Sequence, residues 1–478
     1  MLTLINTNRM QPPIAPLGLD YVAAAAVDAG IETRLIDLCL DGENAADNDP
    51  FDVDFLADSE LVGLSLRNVD DCFWPSGTTF LGQFDGVIEA VRSRTDAPLV
   101  IGGVGFSIFS RDIFEKSGVD FAIHGDGERA VVDLIGQLRG KRRFDQVEGL
   151  IWRDGDRTVV NPPAWPERPV VSPRRDFVDN ATYFRLGGQI GIETKRGCAR
   201  NCAYCADPLA KGRCFRLRPP SDVADEVEAL LPQGVDVLHT CDAEFNLPRQ
   251  HAMAVCDELI ARRLNRRVRW YAYLAITPFD DELAERMARA GCVGINFTSD
   301  SACENMLGAY GQSHDKEDIA RAVRFCRKND IAVMLDLLLG GPGETPESVK
   351  KTVDWIKRID PDCAGAAMGI RLYPGTSIVD AVAAEAPLDE NRGILRHYDG
   401  PVDLLQPTFY ISPNLGKRPA ELVRDLIDDD PRFFPPEDEQ PRAASEDRGD
   451  HNYNDNTALA DAIAGGARGA YWDILRRL

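Results

Sequence analysis

Three cysteines constrain this chain more than any other feature. Cys198, Cys202 and Cys205 form a C-x-x-x-C-x-x-C loop that directly follows an apolar run at residues 189–193. An iron–sulfur cubane normally takes four cysteine thiolates, so three closely spaced thiols leave one iron free to bind another group. A structural zinc site needs a fourth protein ligand, for which Cys214 is the candidate. The loop therefore predicts either an incompletely ligated cluster or a four-cysteine zinc knuckle.

The same stretch resembles the cluster loop of the radical S-adenosylmethionine (SAM) superfamily. The resemblance rests on the cysteine spacing, the strand-like segment before it, and Tyr204 immediately before the third cysteine. In that superfamily the open iron of a [4Fe-4S] cluster chelates the amino and carboxylate groups of SAM. The resemblance implies a [4Fe-4S] cluster held by Cys198, Cys202 and Cys205, with SAM bound close to Tyr204.

The charge and composition of the chain exclude several classes of protein. Its 478 residues include 54 Lys and Arg against 77 Asp and Glu, and this net charge of −23 disfavours binding to nucleic acid or anionic lipid. No run of about 18 apolar residues is present, so we expect no membrane span. Residues 1–11 lack a secretion-signal pattern and the twelve cysteines are scattered, so we expect a reduced, cytoplasmic protein of two or three domains.

Apolar strand-like runs alternate with helical segments over residues 1–160. The strand-like runs are residues 3–6, 33–38, 61–66, 99–102 and 121–124. The helical segments are residues 17–29, 84–94, 110–116 and 128–139. Such alternation is typical of a parallel sheet covered on both faces, so we predict a doubly wound α/β domain, Rossmann-like or flavodoxin-like. A ligand of such a sheet lies beyond the carboxyl ends of its strands.

Glycine-rich turns at those strand ends suit the close approach of a bulky planar ligand. No G-x-G-x-x-G motif follows the first strand, which argues against a dinucleotide. Placed before a three-cysteine loop, the domain resembles the cobalamin-binding domain of cobalamin-dependent radical SAM enzymes. By that resemblance the residues expected to contact cobalamin are Leu17, Gly18, Arg67, Asn68, Gly102, Gly103, Val104, Gly125 and Glu128. The same fold serves many ligands, so the fold alone identifies none.

Arg67 has a particular role in this resemblance. The D-x-H-x-x-G motif, whose histidine binds cobalt from below in methyltransferases, is absent, and His124 is the only histidine in the domain and lacks that context. The resemblance implies cobalamin with neither its own base nor a protein histidine on cobalt, and with Arg67 facing the lower side of the corrin. The alternative is an ordinary salt bridge from Arg67 to Asp70 or Asp71.

A proline-rich connector at residues 161–188 marks a domain boundary, because it has neither a helical nor a strand period. Strand-like runs then resume at residues 189–194, 235–241, 268–274, 293–298, 332–338 and 364–372, with helical segments between them. Six strand–helix repeats predict a partial (β/α)6 barrel over residues 189–385, which is also the fold implied by the resemblance. Active groups in such a barrel lie at the carboxyl ends of the strands.

Glu244 follows the second barrel strand, where radical SAM enzymes usually carry a G-G-E segment. Here the segment is Cys241-Asp242-Ala243-Glu244, without the glycines. The resemblance implies that Glu244 accepts hydrogen bonds from the ammonium group of SAM. A carboxylate so close to the open iron can instead ligate it, as a glutamate does in a non-radical methylase of this family.

Other strand ends complete the expected site. Ser299, after the fourth strand, suits a ribose, with a helix N-cap as the alternative. Gly340 belongs to the glycine-containing turn beside the adenine, and Leu372 follows the sixth strand. Tyr271 and Tyr273 share one face of the third strand. Tyr273 is the candidate for substrate contact or proton acceptance, and core packing is the alternative for both tyrosines.

The alternation ends near residue 386, and the chain up to residue 478 becomes acidic and irregular. Two helices are predicted there, at residues 420–427 and 457–478, and residues 404–412 are expected to cover the barrel mouth. We expect this region to cap the active site. A packing or dimerisation helix is the alternative.

Taken together, the resemblances imply an enzyme that joins cobalamin and SAM in one cavity. The leading reaction is transfer of a methyl group from SAM, via methylcobalamin, to a carbon of a small molecule, with an aromatic amino acid such as tryptophan as the candidate. The cofactors carry the difficult chemistry, and an external electron donor of flavodoxin or ferredoxin type is the expected partner. One alternative uses cobalamin for oxidation or cyclisation without methyl transfer. A second, outside enzymes, is a cobalamin sensor or an iron–sulfur scaffold without turnover.

Overall fold

The first sheet contains five parallel strands. The computed structural model describes residues 1–40, 49–437, 453 and 456–478. The parallel strands are β1 (Leu2–Asn6), β2 (Thr33–Asp37), β3 (Leu61–Ser65), β4 (Leu99–Gly102) and β5 (Phe121–Ile123). Their order, β2-β1-β3-β4-β5, is the flavodoxin-like order of a doubly wound sheet, which confirms the predicted fold class of this domain. The strand order reverses between β1 and β3, where ligands of such sheets bind, and Arg67 follows β3.

Helices pack on the faces of this sheet, and an antiparallel hairpin extends it. The helices are α1 (Leu17–Asp28), α2 (Asp54–Ala57), α3 (Leu81–Arg92), α4 (Val104–Ile108), α5 (Ser110–Ser117) and α6 (Gly127–Arg139). The hairpin strands are β6 (Leu150–Asp154) and β7 (Arg157–Val160), and β6 pairs with β5. The short helices α2 and α4 and this hairpin were not predicted. An Asp154-Gly155 turn, with Gly155 at φ +59°, is the local sequence feature that favours the hairpin.

The second large sheet contains the predicted barrel strands. They are β8 (Gly191–Ile192), β11 (Val237–Thr240), β12 (Arg269–Ala275), β13 (Cys292–Asp300), β14 (Ala332–Leu339) and β15 (Cys363–Met368), and β19 (Phe433–Phe434) adds a seventh strand beside β15. Every pairing in this sheet is parallel. The predicted partial barrel is confirmed, with one further strand contributed by the C-terminal region. Between β8 and β11 lies a two-stranded ribbon, β9 (Lys195–Arg196) and β10 (Arg216–Leu217).

Helices also lie in the connector and between the barrel strands. They are α7 (Asn180–Arg185), α8 (Asp207–Lys211), α9 (Pro220–Leu230), α10 (Arg249–Ala261), α11 (Asp281–Arg289), α12 (Glu304–Ala309), α13 (Lys316–Lys328) and α14 (Pro346–Ile359). The helices α9, α10, α11, α13 and α14 follow the predicted alternation, whereas α7, α8 and α12 were not predicted. Capping boxes begin α13 at Asp315 and α14 at Thr345, so their starts are set by local hydrogen bonds. Among the described residues, no helix is long and apolar enough to cross a membrane.

A small antiparallel sheet joins the C-terminal region to the first domain. Its strands are β16 (Ile370–Arg371), β17 (Ile394–Arg396) and β18 (Thr408–Tyr410). The helix α15 (Ser377–Glu385) lies between β16 and β17 in the chain, and α16 (Pro419–Ile427) follows β18. Arg371 forms a buried ion pair with Asp70 at 2.8 Å. Trp74 stacks on His397 with ring centroids 4.7 Å apart. Residues 404–412 were predicted to cover the barrel mouth. Within them, β18 forms the central strand of a sheet that contacts the first domain.

The last segment of the chain fills the barrel from within. Residues 457–478, predicted as one helix, form two short helices, α17 (Thr457–Ala464) and α18 (Tyr471–Leu475). The single-helix prediction was wrong because Gly466 and Gly469, at φ +97° and +149°, interrupt the helical backbone. Trp472 and its neighbours in α18 pack against inward-facing barrel side chains, among them Tyr271 and Met334. The tail thus closes the barrel interior by packing.

Buried arginines connect the two large domains. Arg175, in the connector, pairs with Asp20 of α1 at 2.8 Å and with Glu226 of α9 at 2.7 Å, and its side chain is 1% exposed. Arg218 binds the other oxygen of Glu226 at 2.6 Å. Charges this deeply buried are tolerated only when they are paired and hydrogen-bonded, which favours one arrangement of the two domains.

Substitution of the neighbouring residues Arg174 and Arg175 tests the buried connection between the two domains. We expect Arg175→Met to lower the free energy of unfolding by about 3–5 kcal/mol, because Asp20 loses its buried cation and Glu226 keeps only Arg218. Arg174 makes ion pairs that are 44% or more exposed, so Arg174→Met is expected to cost less than about 1 kcal/mol. Denaturant unfolding followed by circular dichroism measures both. Equal losses for the two variants would contradict the role given to Arg175.

Candidate active site

The three cysteines lie in the loop between β9 and α8. All three are free thiols, with Cys198 buried and Cys202 and Cys205 half-buried. Gly197 begins the loop at φ +79°, and a Cβ atom there would collide with the carbonyl oxygen of Cys214, so only glycine fits. Burial raises the pKa of all three thiols, that of Cys205 to about 12. Such thiols deprotonate when a metal centre supplies positive charge, so the loop fits a metal cluster.

The described residues do not support the zinc-knuckle alternative. None of them forms a group of three or more His, Cys, Asp or Glu side chains that could hold a single metal ion. A tetrahedral zinc site brings all its sulfur ligands to about 2.3 Å from one point. A cubane instead spreads its thiolates over separate irons.

Glu244 lies beyond the carboxyl end of β11 with its backbone at φ +74°. One carboxylate oxygen, Oε1, accepts a hydrogen bond from the Thr298 hydroxyl at 3.1 Å. The other, Oε2, is buried and has no partner among the described residues. Burial raises the pKa of Glu244, and the nearby Arg200 guanidinium partly opposes that effect. The charge of Glu244 in turn acts on the thiols of Cys198 and Cys202. The free oxygen therefore fits either proposed role, as a ligand of the cluster or as an acceptor for SAM.

Tyr204 belongs to a hydrogen-bond network beside the cluster loop. Its hydroxyl donates to both carboxylate oxygens of Asp300, at 2.8 and 2.9 Å. The Gln312 amide nitrogen donates to Asp300 at 2.5 Å and to the Cys202 sulfur at 3.5 Å, while Arg200 donates to the Gln312 oxygen. Burial raises the pKa of Asp300 to about 7. Sequence reasoning identified Tyr204 but not Asp300 or Gln312, because no local motif links them to the cysteines.

The remaining predicted SAM contacts are Ser299, Gly340 and Leu372. Ser299 is fully buried and its hydroxyl donates to the carbonyl oxygen of Asp336 at 2.8 Å. Helix α12 has Cys303 as its N-cap, so Ser299 does not cap it. Gly340 has φ +99° and donates its backbone N–H to Glu344 at 2.6 Å, which shapes the turn after β14. Leu372 is completely buried.

Two connected cavities lie between the domains. The first, the slot, has a volume of about 170 Å³, runs along the first sheet between Gly102, Gly125 and Val131, and reaches Glu193 of the barrel. The second, the wide cavity, has a volume of about 410 Å³ and lies between Arg67 and Tyr273. Every residue predicted to contact cobalamin lines one or both: Leu17, Gly18, Arg67, Asn68, Gly103 and Val104 line the wide cavity, and Gly18, Gly102, Gly103, Val104, Gly125 and Glu128 line the slot.

The lining of these cavities fits a planar macrocycle with a tail. Gly103 has φ +110°, and a Cβ atom there would lie 2.5 Å from the carbonyl oxygen of Leu66. Glycine is therefore required at the turn after β4, which keeps the slot open to the sheet edge. The slot is apolar at its centre, where Leu4, Val100 and Ile123 line it. An apolar slot beside a larger cavity matches a nucleotide base and the corrin to which it is attached.

Arg67 makes none of the salt bridges considered as alternatives. Asp70 pairs with Arg371, and Asp71 accepts hydrogen bonds from Ser76 and Thr78. Within the described ranges, Arg67 forms no ion pair. Burial lowers the pKa of its guanidinium, and the nearby Tyr273 hydroxyl is among the groups that oppose this effect. The guanidinium therefore presents an uncompensated charge to the wide cavity.

Glu128 has a partner on the cluster side of the interface. Its carboxylate contacts the Arg196 guanidinium at 2.5 Å, and Arg196 also contacts Glu193 at 2.7 Å. Arg216 pairs with Asp126, next to Gly125. The turn after β5 is thus held against the ribbon that leads into the cysteine loop.

The two tyrosines of β12 have different surroundings. Tyr271 is buried and donates to Asp473 of the C-terminal tail at 2.6 Å, so core packing explains it. Tyr273 is 42% exposed and lines the wide cavity. Burial in this cavity, with Asp336 and Cys241 adding to it, raises the pKa of Tyr273 to about 12. Its phenol is therefore a hydrogen-bond donor at neutral pH.

Sequence reasoning missed several residues that line the wide cavity. They are Lys211, His239, Thr240 and Cys241. His239 and Thr240 end β11 and Cys241 follows it, so their position at the carboxyl end of a parallel strand was the available signal. Lys211 ends a five-residue helix after the cysteines, and no local pattern indicates its orientation.

The fold and the site together define a cobalamin-binding domain joined to a radical SAM barrel. Residues 4–135 match the family model of the B12 binding domain, and residues 192–356 match that of the radical SAM superfamily. Among curated proteins, the tryptophan 2-C-methyltransferase of Streptomyces laurentii is 30% identical, over 98% of this chain and 95% of that protein. The chain belongs to the family of cobalamin-dependent radical SAM methyltransferases represented by that enzyme.

Solved structures agree along the whole chain. The structure of the radical SAM methyltransferase TsrM from Kitasatospora setae, with tryptophan and a SAM analog bound, is 30% identical, with a TM-score of 0.87 over 100% of this chain and 97% of that chain. A second TsrM structure holds cobalamin and a [4Fe-4S] cluster. The predicted cofactors and enzyme class are thereby confirmed. An anaerobic magnesium-protoporphyrin IX monomethyl ester cyclase of Cereibacter sphaeroides is 28% identical but covers only 58% of this chain, so the cyclase alternative has less support.

Substitution of single cysteines tests the ligand set. We expect Cys202→Ala to lose most of the iron and sulfide that the anaerobically reconstituted chain binds, because two thiolates cannot hold the cubane. Cys214→Ala is the matched control and is expected to keep the full iron content, since Cys214 is exposed. Iron and sulfide analysis with absorption spectroscopy measures both. If Cys214→Ala also emptied the site and bound zinc disappeared with it, the zinc knuckle would be right.

Proposed function

We propose that this chain transfers the methyl group of SAM to a ring carbon of tryptophan or a close indole analogue. The proposal is supported most by the similarity to tryptophan 2-C-methyltransferase, which extends over 98% of the chain. In this reaction the sulfur–methyl bond of SAM breaks, a carbon–methyl bond forms, and the ring carbon loses a proton. S-adenosylhomocysteine is the second product. The overall change is neither an oxidation nor a reduction.

The cofactors and the chain divide the work. Bound cobalamin would supply a methyl carrier beside the iron–sulfur cluster. Arg67 lines the wide cavity with a charge that no described carboxylate neutralises, and its side chain would take up space that a ligand of a bound corrin could otherwise occupy. An electron donor of flavodoxin or ferredoxin type keeps these cofactors reduced, and we propose the cytoplasm as the compartment.

Glu244 decides how SAM is used. Its Oε1 is held by Thr298, while its Oε2 is buried and has no partner among the described residues, and we propose that this free oxygen ligates the open iron. A ligated iron no longer chelates the amino and carboxylate groups of SAM, so reductive cleavage of SAM is suppressed. Polar transfer to an electron-rich carbon is then favoured, and an indole ring offers one.

Products formed by the wild-type chain and a Glu244 variant test this role. With tryptophan, the wild-type enzyme is expected to form methylated tryptophan and S-adenosylhomocysteine with little 5′-deoxyadenosine. We expect Glu244→Ala to slow methylation by at least about tenfold and to permit formation of 5′-deoxyadenosine under reducing conditions. Mass spectrometry quantifies all three, and Glu285→Gln, at an exposed position of α11, is the control. Abundant 5′-deoxyadenosine from the wild-type enzyme would contradict the polar route, and absence of any methylated product would contradict methyl transfer.

Tyr273 is proposed to orient the substrate rather than to remove its proton. The phenol, with a pKa of about 12, stays protonated between pH 6 and 9 and can donate a hydrogen bond throughout. We expect Tyr273→Phe to lower kcat/KM by about three- to tenfold, the loss of one hydrogen bond, without changing the shape of the pH profile in that interval. Disappearance of a pH-dependent step in the variant would identify Tyr273 as the base instead.

A further inference from the structure

Lys211 lies at the junction of the slot and the wide cavity. It ends α8, and among the described residues it is the only cationic side chain that lines both cavities. Of these two cavities, Arg67 lines the wide one and Arg196 lines the slot. The junction of the two cavities thus carries one amine.

The other charges at the junction leave this amine available. Glu193 is the carboxylate that lines both cavities, and Arg196 binds it at 2.7 Å. Lys211 donates to Asp207 of its own helix at 3.1 Å and is 24% exposed. An ammonium group has three protons, so one such contact leaves donors for a further acceptor. Although burial lowers the pKa of Lys211, Asp207 and Glu193 raise it above its usual value, so the amine is charged.

The chemistry of cobalamin places one anion at such a junction. A flexible loop joins the corrin ring to a nucleotide base, and the loop contains a phosphodiester with one negative charge. With the base in the apolar slot and the ring in the wide cavity, the phosphodiester lies between them. An anion removed from water must be paired and hydrogen-bonded, and charge-assisted hydrogen bonds are the strong ones.

We propose that Lys211 binds the phosphodiester of the cobalamin tail. The slot is built mainly from the first domain, whereas Lys211 belongs to the barrel and follows Cys205 by six residues. Helix α8 is held against the first domain by His124, whose ring nitrogen lies 2.8 Å from the carbonyl oxygen of Leu209. The cluster segment therefore supplies the ionic contact to the tail, and cobalamin binding joins the two domains.

Comparing the binding of cobalamin and cobinamide distinguishes a phosphodiester contact by Lys211 from a general packing role of this side chain. Cobinamide has the corrin ring but lacks the phosphodiester, the ribose and the base. We expect Lys211→Met to weaken cobalamin binding by about tenfold or more, the usual effect of losing a charged hydrogen bond, and to change cobinamide binding by less than about twofold. Lys211→Arg keeps the charge and is expected to retain cobalamin affinity within about threefold. Absorption titration of the full chain, carrying its cluster but purified without cobalamin, measures each dissociation constant.

Lys350→Met is the matched control, because it removes a Lys–Asp pair of the same four-residue spacing at an exposed position of α14. It is expected to bind both corrinoids as the wild-type chain does. Iron content and thermal unfolding show whether Lys211→Met is folded. Equal weakening for both corrinoids, or unchanged cobalamin affinity, would overturn the proposal. The titrations use neither SAM nor an acceptor, so their outcome is independent of the proposed substrate.

Discussion

Buried ion pairs between the two large domains fix the geometry on which the active site depends. Arg175 and Arg218 both bind Glu226, and Arg196 and Arg216 bind the turn after β5. Each of these arginines is nearly inaccessible, so its desolvation is repaid only when its carboxylate partners are in place. For Arg175, Arg196 and Arg216 those partners include carboxylates of the first domain. The carboxyl ends of both parallel sheets are thereby held against one enclosed space. Neither sheet alone would form the two cavities.

Packing closes that space from below. The C-terminal tail places Trp472 inside the barrel, and Tyr471 of the same helix lies 3.4 Å from the carbonyl oxygen of Pro13 in the first domain. The C-terminal region was expected to cap the active site, and its last two helices pack against inward-facing side chains of the barrel. Reduced contact with water gives the charged groups around the cavities more influence than they have in solvent.

The strands and the cysteine loop could be predicted because residues close in the sequence determine them. The strands were predicted because apolar runs alternate with helical periods, and the cysteine loop because its spacing has a direct chemical meaning. Arg175 is different: it lies in a proline-rich connector that has no period, yet it is buried by groups 155 and 51 residues away. Asp300, Gln312 and Lys211 reach the site through the fold in the same way. The final helix was overpredicted because its apolar residues outweighed Gly466 and Gly469, where the backbone turns.

The surroundings of the cysteine loop bear on how the cluster functions. The potential of such clusters depends on net charge and on hydrogen bonds to their sulfurs. Glu244 as a fourth anionic ligand would make the cluster harder to reduce. Gln312 acts in the opposite direction, since Arg200 fixes its oxygen and so directs its amide N–H groups to Asp300 and the Cys202 sulfur. A cluster that is hard to reduce is a poor electron donor for cleaving SAM, but it can still position the groups around it. The charges of this loop are therefore consistent with methyl transfer by a polar route, in which the cluster positions the reactants and transfers no electron to SAM.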